Sequence, residues 1–331
     1  MNLEERTMVY AYRQAGKSVR WIACELARSP STISRELRRN LIIGNRYFPD
    51  KAHRMARNRA RGRPAKKILP GTVEFSRVLE GIRSGWSAEQ ISGRYELTHP
   101  GKMLSHETVY RFMQSEEGRK LGAWEYITWQ RKTRKHRTGR RKGKRVIIPD
   151  RTGIEKRPAG ANDRTEFGHF EADLICFSRQ RGTILNIVER KTRFGFATLA
   201  SGKHTDVVCG KITSLLSEFG NWPGALKSVT FDNGTEFVDH GKVAEALAIK
   251  TYFCHPYSSW ERGTVENSNG IFRRYTPRKT DLSTLDSREV SDIRMEMNNR
   301  PLKVLGWRTP AEVLKEELLH YLSPPSVALH T

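Results

Sequence analysis

The sequence predicts a multidomain protein in which an all-α helix-turn-helix part is followed by an α/β domain with a mixed five-stranded sheet. Charge divides the chain: residues 1–150 hold 34 Lys and Arg against 14 Asp and Glu, whereas residues 151–331 hold 25 against 22. The spacing of apolar residues also changes, from helical in the first part to alternating and strand-like after residue 166. A basic half joined to a nearly neutral half indicates a polyanion-binding module attached to a domain of another kind.

The composition is that of a polar, folded chain. Hydrophobic residues make up 37% and charged residues 29% of the 331 positions, and no stretch approaches the roughly 18 uninterrupted apolar residues of a membrane span. The N-terminus is charged and lacks the apolar block of a signal peptide. The four cysteines show no CxxC pair, which favours reduced thiols over disulfides or a zinc site. We therefore expect a cytoplasmic protein with no membrane partner. The charge alone fits a ribosomal or other soluble basic protein as well as it fits a polyanion-binding module attached to another domain.

Residues 3–40 are predicted to form three helices in a helix-turn-helix arrangement. The third helix opens with Ser29 as its N-cap and Pro30 at its first position, while Ile33 and Leu37 face inward. Small hydroxyl residues followed by arginines are typical of a recognition helix that contacts bases and phosphates. A three-helix bundle with a solvated basic face is the alternative. The outward residues predicted to contact DNA are Ser31, Thr32, Ser34, Arg35, Arg38 and Arg39.

A second helix-turn-helix-like unit is predicted at residues 82–113. Ser87 and Gln90 form a capping-box pattern at the start of one helix. The later stretch "ETVYRFM" is similar to "STISREL" of the first unit, which makes Thr108 and Arg111 candidate DNA contacts. A helical hairpin that only packs or dimerises is the alternative for this unit.

Two strongly basic stretches are predicted to link these parts. Residues 51–67 are too basic to bury, and residues 131–145 hold ten Lys and Arg and no carboxylate. We expect them either to contact phosphates regardless of base sequence or to stay solvated. The predicted division is a helix-turn-helix domain at 1–45, a basic linker at 46–75, a second helical domain at 76–130, a basic linker at 131–160, the α/β domain at 161–320 and a tail at 321–331.

The α/β domain carries three carboxylates at positions from which a sheet could gather them. "EFGHFEADLICF", "GTILNIVER" and "FGFATLA" predict an antiparallel meander, and "SVTF" and "KTYFC" predict two further strands between helices. Because side chains alternate along a strand, Asp173 projects from the face opposite the apolar one. Asp232 directly follows the "SVTF" strand. Glu266 lies on a helix predicted to be capped by Ser258 or Ser259.

A divalent cation would stabilise such a set of carboxylates. If the three converge, each raises the proton affinity of the others, and Asp173 occupies a mid-strand position where its desolvation needs compensation. All-oxygen ligands favour Mg²⁺ or Mn²⁺, because the sequence offers neither a cysteine pair nor a dense histidine cluster for zinc.

Three sequence blocks resemble the signature blocks of DDE transposases: "GHFEADLI", "TFDNGTEF" and "ERGTVENSNGIFRRY". "GKSVRWIACELARSPSTISRELRRN" and "MNNRPLKVLGWRTPAEVL" narrow the resemblance to the insertion-sequence thirty family of bacterial transposases. The resemblance covers residues 3–60 and 160–315. Its small departures are Phe170 and Ala172, where the family often has Trp and Gly, and "TVEN" in place of the commoner "TNEN".

The resemblance implies a retroviral-integrase-like (ribonuclease H-like) catalytic domain over residues 161–320. Carried over motif by motif, the catalytic and metal-binding triad falls on Asp173, Asp232 and Glu266, with 33 residues between the second and the third. None of the departures from the family pattern affects a carboxylate. The implied setting is the cytoplasm of a bacterium, in association with the nucleoid.

The residues around the three carboxylates leave alternatives open. Glu171 shares a face with Asp173 and could be the ligand in its place. Glu261 would lie about 140° around the helix from Glu266, so both cannot point at one metal site.

Neighbouring basic and polar residues are open to more than one interpretation as well. Arg262 and Arg273 are placed on the side of Glu266 and are predicted to hold DNA phosphates, with a plain ion pair as the alternative. Asn233 and Gly234 are expected to form a turn, and Trp260 is expected to pack in the core. The histidines expected to be structural or close to DNA, rather than catalytic bases, are His169 and His255.

The resulting hypothesis is a transposase that binds the inverted-repeat ends of an insertion sequence and catalyses Mg-dependent strand cleavage and strand transfer. Two cations about 4 Å apart would serve an in-line displacement at phosphorus, with water or a DNA 3′-hydroxyl as the attacker. The expected partners are double-stranded DNA, as element ends and target, and further copies of the chain in a homodimer or higher oligomer. A non-enzymatic helix-turn-helix regulator is the main alternative. A ribonuclease H-type nuclease would not explain two sequence-reading units.

Overall fold

The computed structural model describes residues 1–42, 46–61, 67–126, 148–177, 182–256, 258–278 and 280–322. The basic stretch predicted at 131–145 lies outside these residues. The chain divides into two compact units, residues 1–67 and residues 68–331.

The first unit is helical, with one short pair of antiparallel strands. Its elements are α1 (Leu3–Gln14), α2 (Val19–Glu25), α3 (Pro30–Asn40), β1 (Leu41–Ile42), β2 (Arg46–Tyr47) and α4 (Pro49–Arg61). The predicted start of α3 is confirmed, because the Ser29 side chain accepts a hydrogen bond from the Thr32 N–H and Pro30 occupies the first position. The core contains Val9, Ile22, Ala23, Ile33, Tyr47 and Ala52.

Part of the stretch predicted as a basic linker is folded against the helix-turn-helix. Ala52 on α4 is fully buried, and the Tyr47 hydroxyl donates to Glu36 on α3 at 3.1 Å. The buried Arg6 donates through Nε to the same carboxylate at 2.8 Å. These contacts join the strand pair and α4 to α1 and α3, while Lys51, Arg54, Arg57 and Arg59 of α4 are exposed.

The second unit surrounds a β-sheet with helices. Its helices are α5 (Val73–Arg83), α6 (Ala88–Thr98), α7 (His106–Gln114), α8 (Glu116–Lys120), α9 (Ala159–Asp163), α10 (Thr205–Ser217), α11 (His240–Leu247), α12 (Gly263–Tyr275), α13 (Ser287–Asn298) and α14 (Pro310–Leu322). Its strands are β3 (His169–Cys176), β4 (Thr183–Glu189), β5 (Gly195–Ala200), β6 (Ser228–Phe231) and β7 (Lys250–Phe253).

The predicted mixed five-stranded sheet is confirmed, with the strand order β5-β4-β3-β6-β7. The meander β3–β4–β5 is antiparallel, and β6 and β7 run parallel to β3 and to each other. The predicted apolar face of β3 packs in a core with residues of α10 and α11. On the other face, Phe272 of α12 and Val290 of α13 form a second core with Ile175 and Ile184 of the sheet. The sheet is therefore covered by helices on both faces, which agrees with an α/β class.

The helices α5 to α8 form their own small core and also contact the sheet-containing part of the unit. The capping box of Ser87 and Gln90 is confirmed. Gln90 donates to the Pro301 carbonyl at 2.7 Å, and Arg94 forms an ion pair with Glu312 of α14. Gly93 lies against the Trp307 ring so closely that a Cβ atom would be 2.1 Å from it, which explains why glycine occupies this helical position. Within the described part of the chain, no helix has both the length and the apolar character needed to cross a membrane.

Candidate active site

Asp173 of β3 lies beside Asp232, which directly follows the neighbouring parallel strand β6. Glu171 of β3 is opposite Thr230 of β6, so two residues further along each strand lead to Asp173 and Asp232. The two side chains are 19% and 38% exposed. Because parallel strands present equivalent positions at the same edge of a sheet, the register alone brings these two carboxylates together.

Arg262 occupies the space between the two carboxylates. Its Nη1 is 3.3 Å from Asp173 Oδ1, and its Nη2 donates to Asp232 Oδ2 at 3.2 Å. Nη1 also donates to the Ala172 carbonyl at 3.0 Å, and the residue is only 5% exposed. Arg262 is therefore in the ion pair that the sequence left open, rather than on the surface where it would contact DNA.

The position of Arg262 follows from where the helix begins. Residues Ser259–Arg262 form a 3-10 turn, and α12 starts at Gly263 without a side-chain cap. The prediction that Ser258 or Ser259 caps this helix was therefore wrong. Because Arg262 precedes the α-helix, its side chain turns towards the sheet instead of lining up with Glu266.

Glu266 lies on the first turn of α12 and is exposed. In the described ranges, no three His, Cys, Asp or Glu side chains are grouped so that they could hold a metal ion. The structure thus brings Asp173 and Asp232 together and leaves Glu266 outside their contact. Carboxylates repel one another without a cation between them, and the Arg262 guanidinium supplies that positive charge for two of the three.

Glu171 fixes the helix that carries Glu266. It is fully buried, forms an ion pair with Arg190, and accepts a hydrogen bond from the Val265 N–H at 3.0 Å. These contacts occupy both carboxylate oxygens, so Glu171 does not fit the alternative role of a metal ligand. They also attach the turn next to Glu266 to the centre of the sheet.

A chain of amide side chains orients Asp173, and sequence analysis missed it. Asn269 donates to Asp173 Oδ2 at 2.8 Å and accepts from Asn186 Nδ2 at 2.7 Å. Asn186 also donates to Ser268 Oγ at 3.0 Å. Two signals were available: Asn186 is polar within the apolar strand "TILNIVE", and Asn269 lies three residues after Glu266, on the same side of a helix.

The surroundings of Asp173 favour its protonated form. Burial raises the pKa of the Asp173 carboxyl above its ordinary value of 3.8, Arg262 opposes that increase, and the Asp232 charge adds to it. An ionised Asp173 is therefore held at a cost to stability, as expected where a fold keeps a carboxylate for chemistry.

Asp173→Asn is expected to stabilise the protein at pH 7 in EDTA. The pKa of Asp173 is raised in the folded state. The contribution of this carboxyl to stability is therefore fully present at low pH and is lost as pH rises through its folded-state pKa. We expect the melting temperature to increase by roughly 2–4 °C at pH 7, which is the shift that about 1 kcal/mol gives in a large domain. The gain should vanish below pH 3.8, where wild-type Asp173 is protonated in both states. Equal or lower stability of the variant at pH 7 would contradict this assignment.

The remaining predicted neighbours take mainly structural positions. Arg273 donates to the Cys176 carbonyl, and its guanidinium lies 4.6 Å from the centre of the Phe177 ring. The turn after β6 forms as expected, with the Gly234 N–H donating to Asp232 Oδ1 at 2.9 Å. The prediction that Trp260 packs in the core was wrong, because the 3-10 turn leaves it 75% exposed.

The two histidines and Glu261 form contacts away from Asp173 and Asp232. His169 is buried between Ser228, at 2.7 Å, and Glu166, at 3.0 Å. His255 is exposed and forms an ion pair with Glu261 at 2.8 Å. Both Glu261 oxygens are occupied by His255, one by its backbone N–H and one by its Nδ1.

The two helices predicted to read DNA share the same N-terminal geometry. Ser29 and Ser105 each cap their helix through the N–H of the third following residue, and each hydroxyl also bonds to that threonine, at 2.8 and 2.9 Å. Thr32 and Thr108 are half-buried for this reason. The exposed members of the predicted set are Ser31, Ser34, Arg35, Arg38, Arg39 and Arg111.

Comparisons with known proteins find a helix-turn-helix family model, transposases and an integrase domain. A family model described as a helix-turn-helix domain matches residues 1–40. Transposase InsI for insertion sequence element IS30A, from Escherichia coli strain K12, is 36% identical over 329 residues, which cover 95% of this chain and 83% of that protein. The transposase for insertion sequence element IS4351, from Bacteroides fragilis, is 34% identical over 314 residues, with 95% and 94% covered. Among solved structures, the catalytic core domain of BIV integrase matches with a TM-score of 0.37 and 18% identity, over 47% of this chain and 99% of that domain.

Proposed function

Because the chain belongs to the insertion-sequence thirty family of DDE transposases, we propose that it binds the inverted-repeat ends of its own element and catalyses Mg-dependent strand cleavage and strand transfer. The relatives described above are named transposases, and the alignments with this chain cover 83% and 94% of their length. Residues 1–40 match a helix-turn-helix model. The chain is therefore a DNA-binding polynucleotidyl transferase with a ribonuclease H-like catalytic part, not a non-enzymatic regulator. The observation that best supports the finer proposal is the pairing of Asp173 and Asp232 around Arg262.

The proposed catalytic residues are Asp173, Asp232 and Glu266. The register of β3 and β6 supports the first two, and the hydrogen bond from the Val265 N–H to the buried Glu171 supports a fixed backbone next to the third, whose side chain is exposed. Glu266 is exposed on the same helix whose Asn269 contacts Asp173. In this proposal, Glu266 approaches the other two carboxylates when DNA and metal bind.

The carboxylates of Asp173 and Asp232 fit a divalent cation. One oxygen of each already lies within 3.3 Å of a single cationic group, Arg262, and hard oxygen donors are what Mg²⁺ and Mn²⁺ prefer. Asp173, Asp232 and Glu266 would hold the metal. When bound, such ions polarise the phosphoryl oxygens and stabilise charge on the attacking and leaving oxygens.

The other residues at the site position these groups. Asn269 donates a hydrogen bond to Asp173 Oδ2, and the Gly234 N–H donates one to Asp232 Oδ1. Both carboxylates are therefore oriented before metal or DNA binds. Arg262 offsets part of the charge of the two carboxylates. It would move aside when a metal binds, or would contact the carboxylates together with the metal. The attacker at phosphorus is water for cleavage and a DNA 3′-hydroxyl for joining, and no side chain forms a covalent intermediate.

DNA contacts are proposed for the exposed faces of α3 and α7 and for Arg273 in the last turn of α12. The exposed arginines at 35, 38, 39 and 111 suit bases or phosphates, while Thr32 and Thr108 act mainly in the caps of their helices. Two element ends react together, so we also propose a homodimer or higher oligomer assembled on DNA. Its proposed location is the bacterial cytoplasm, in association with the nucleoid.

Incubation with labelled inverted-repeat DNA tests the proposal. The wild-type protein should nick the end in Mg²⁺ and leave it intact in EDTA, while retarding its migration in both. A scrambled end of equal length is the matched control and should not be cut at a defined position. Retarded migration without nicking in Mg²⁺ would support the non-enzymatic alternative instead.

A further inference from the structure

A cavity of about 360 Å³ lies on the side of α12 away from Asp232. Four basic side chains line it: Arg193 from the turn after β4, Arg294 from α13, and Arg300 and Lys303 from the segment that follows. Polar groups of α12 form another wall, namely Thr264, Asn267 and Ser268, and apolar side chains, among them Val188, Ile271 and Met297, complete the lining. Lys303 is exposed, so the cavity opens to the surface beside it.

Two of the arginines that line this cavity are buried with little negative charge beside them. Arg294 and Arg300 are 4% and 5% exposed. Arg294 bonds only to neutral groups, including Ser268 Oγ at 2.7 Å and Asn298 Oδ1 at 3.2 Å. Arg300 has one carboxylate, Glu296, at a distance of 4.0 Å. Such an arrangement is costly, because buried charges are normally paired.

Three of the arginines that line the cavity each have a nitrogen atom with no hydrogen-bond partner among the described residues. These atoms are the buried Nε atoms of Arg193, Arg294 and Arg300. Burial lowers the pKa of the Arg294 guanidinium to about 9 and that of Arg193 to about 10, so both stay charged at neutral pH. Arg193 also adopts a left-handed backbone conformation, with φ of 64°, which is a strained conformation for a non-glycine residue. Unsatisfied donors and positive charge of this kind indicate an anionic ligand.

We infer that this cavity binds a phosphodiester of the DNA backbone, as a second DNA contact behind the catalytic helix. The inference rests on the proposed function, which makes DNA the partner. Guanidinium groups, which can donate two parallel hydrogen bonds, together with hydroxyl and amide groups are the usual contacts of DNA phosphates. Arg193 already donates to Thr264 Oγ1 at 2.8 Å, so the cationic and hydroxyl groups are set to bind one anion together.

A continuous set of hydrogen bonds connects this cavity with Asp173. Arg294 and Asn186 both donate to Ser268 Oγ, at 2.7 and 3.0 Å. Asn186 then donates to Asn269, which donates to Asp173. A phosphate held by Arg294 would therefore be connected to the same polar chain that orients Asp173.

Arg193→Gln in the full-length protein tests the inference. Glutamine is polar but too short to reach Thr264 as the arginine does, so the variant removes the charge together with that hydrogen bond. Binding to end DNA is measured in EDTA at several salt concentrations. We expect about tenfold weaker binding, and a slope of log K against log salt that is smaller by about 0.9, the value for one lost phosphate contact on duplex DNA. Lys303→Gln, at the exposed rim, should change the slope in the same direction.

Arg288→Gln is the matched control, because Arg288 is an exposed residue of α13 and is not among the residues that line this cavity. If Arg193→Gln and Lys303→Gln behave like Arg288→Gln, the inference is overturned. It is overturned as well if Arg193→Gln changes only the self-association of the protein, since a carboxylate of a second copy would then be the ligand. The assay contains no metal, so its result is separate from cleavage. A wild-type protein that binds but never nicks in Mg²⁺ would refute the proposed chemistry and leave this phosphate contact standing.

Discussion

Asp232→Asn is expected to abolish DNA cleavage and strand transfer while leaving the binding of element ends within about twofold of wild type. Asparagine keeps the acceptor for the Gly234 N–H and removes the charge that Arg262 and a divalent cation would share. Metal-assisted stabilisation of the transition state is worth several kcal/mol, and each ~1.4 kcal/mol is tenfold in rate. We therefore expect a loss of about three orders of magnitude or more in the rate of nicking in Mg²⁺.

Asp206→Asn is the matched control for that variant. Asp206 is an exposed aspartate that forms an ion pair with Lys242 at 2.8 Å, and its replacement makes the same change of charge and shape. It should cleave at the wild-type rate. Cleavage by Asp232→Asn at a rate similar to that of Asp206→Asn would show that this carboxylate has no part in the chemistry.

Glu171→Gln is expected to cause the largest loss of stability in the catalytic part. Glu171 is fully buried and Arg190 is only 3% exposed, so the variant leaves a guanidinium buried without its countercharge. Breaking a buried pair from one side typically costs about 3–5 kcal/mol. We expect this decrease in the free energy of unfolding, measured by urea denaturation, and a loss of cleavage, because Glu171 also attaches the turn next to Glu266.

Glu317→Gln serves as the comparison for the effect on stability. Glu317 forms an ion pair at 2.7 Å with Lys191, the residue that follows Arg190. Both members of this pair are in contact with solvent. Pairs of this kind contribute about 0–1 kcal/mol. A cost of Glu171→Gln no greater than that of Glu317→Gln would mean that the buried pair does not stabilise the fold.

Features set by local sequence were accessible to prediction. Ser29 and Ser87 cap the helices expected of them, because a cap depends only on the next three residues. The mixed sheet followed from alternating apolar residues and from the lengths between strands. The sequence also placed Asp173 within one strand and Asp232 directly after another, whereas their proximity depends on the pairing of β3 with β6.

Features that depend on contacts between distant parts of the chain could not be predicted from the sequence. Arg262 lies 30 residues from Asp232, and nothing in its neighbourhood shows that it turns towards the sheet rather than towards DNA. Trp260 is apolar enough for a core, yet the 3-10 turn that follows β7 leaves it exposed. The burial of Glu171 depends on Arg190 and Val265. A single sequence gives no means of identifying such partners.

The central claim is that Asp173, Asp232 and Glu266 hold divalent metal beside a DNA phosphate. Its most direct test is a crystal structure of the protein with end DNA and Mn²⁺, in which anomalous scattering locates the metal. We expect manganese bound by Asp173 and Asp232, with Glu266 drawn into coordination and Arg262 displaced from between them. Manganese bound elsewhere, while Arg262 still bridges the two aspartates and Glu266 stays in solvent, would contradict the account.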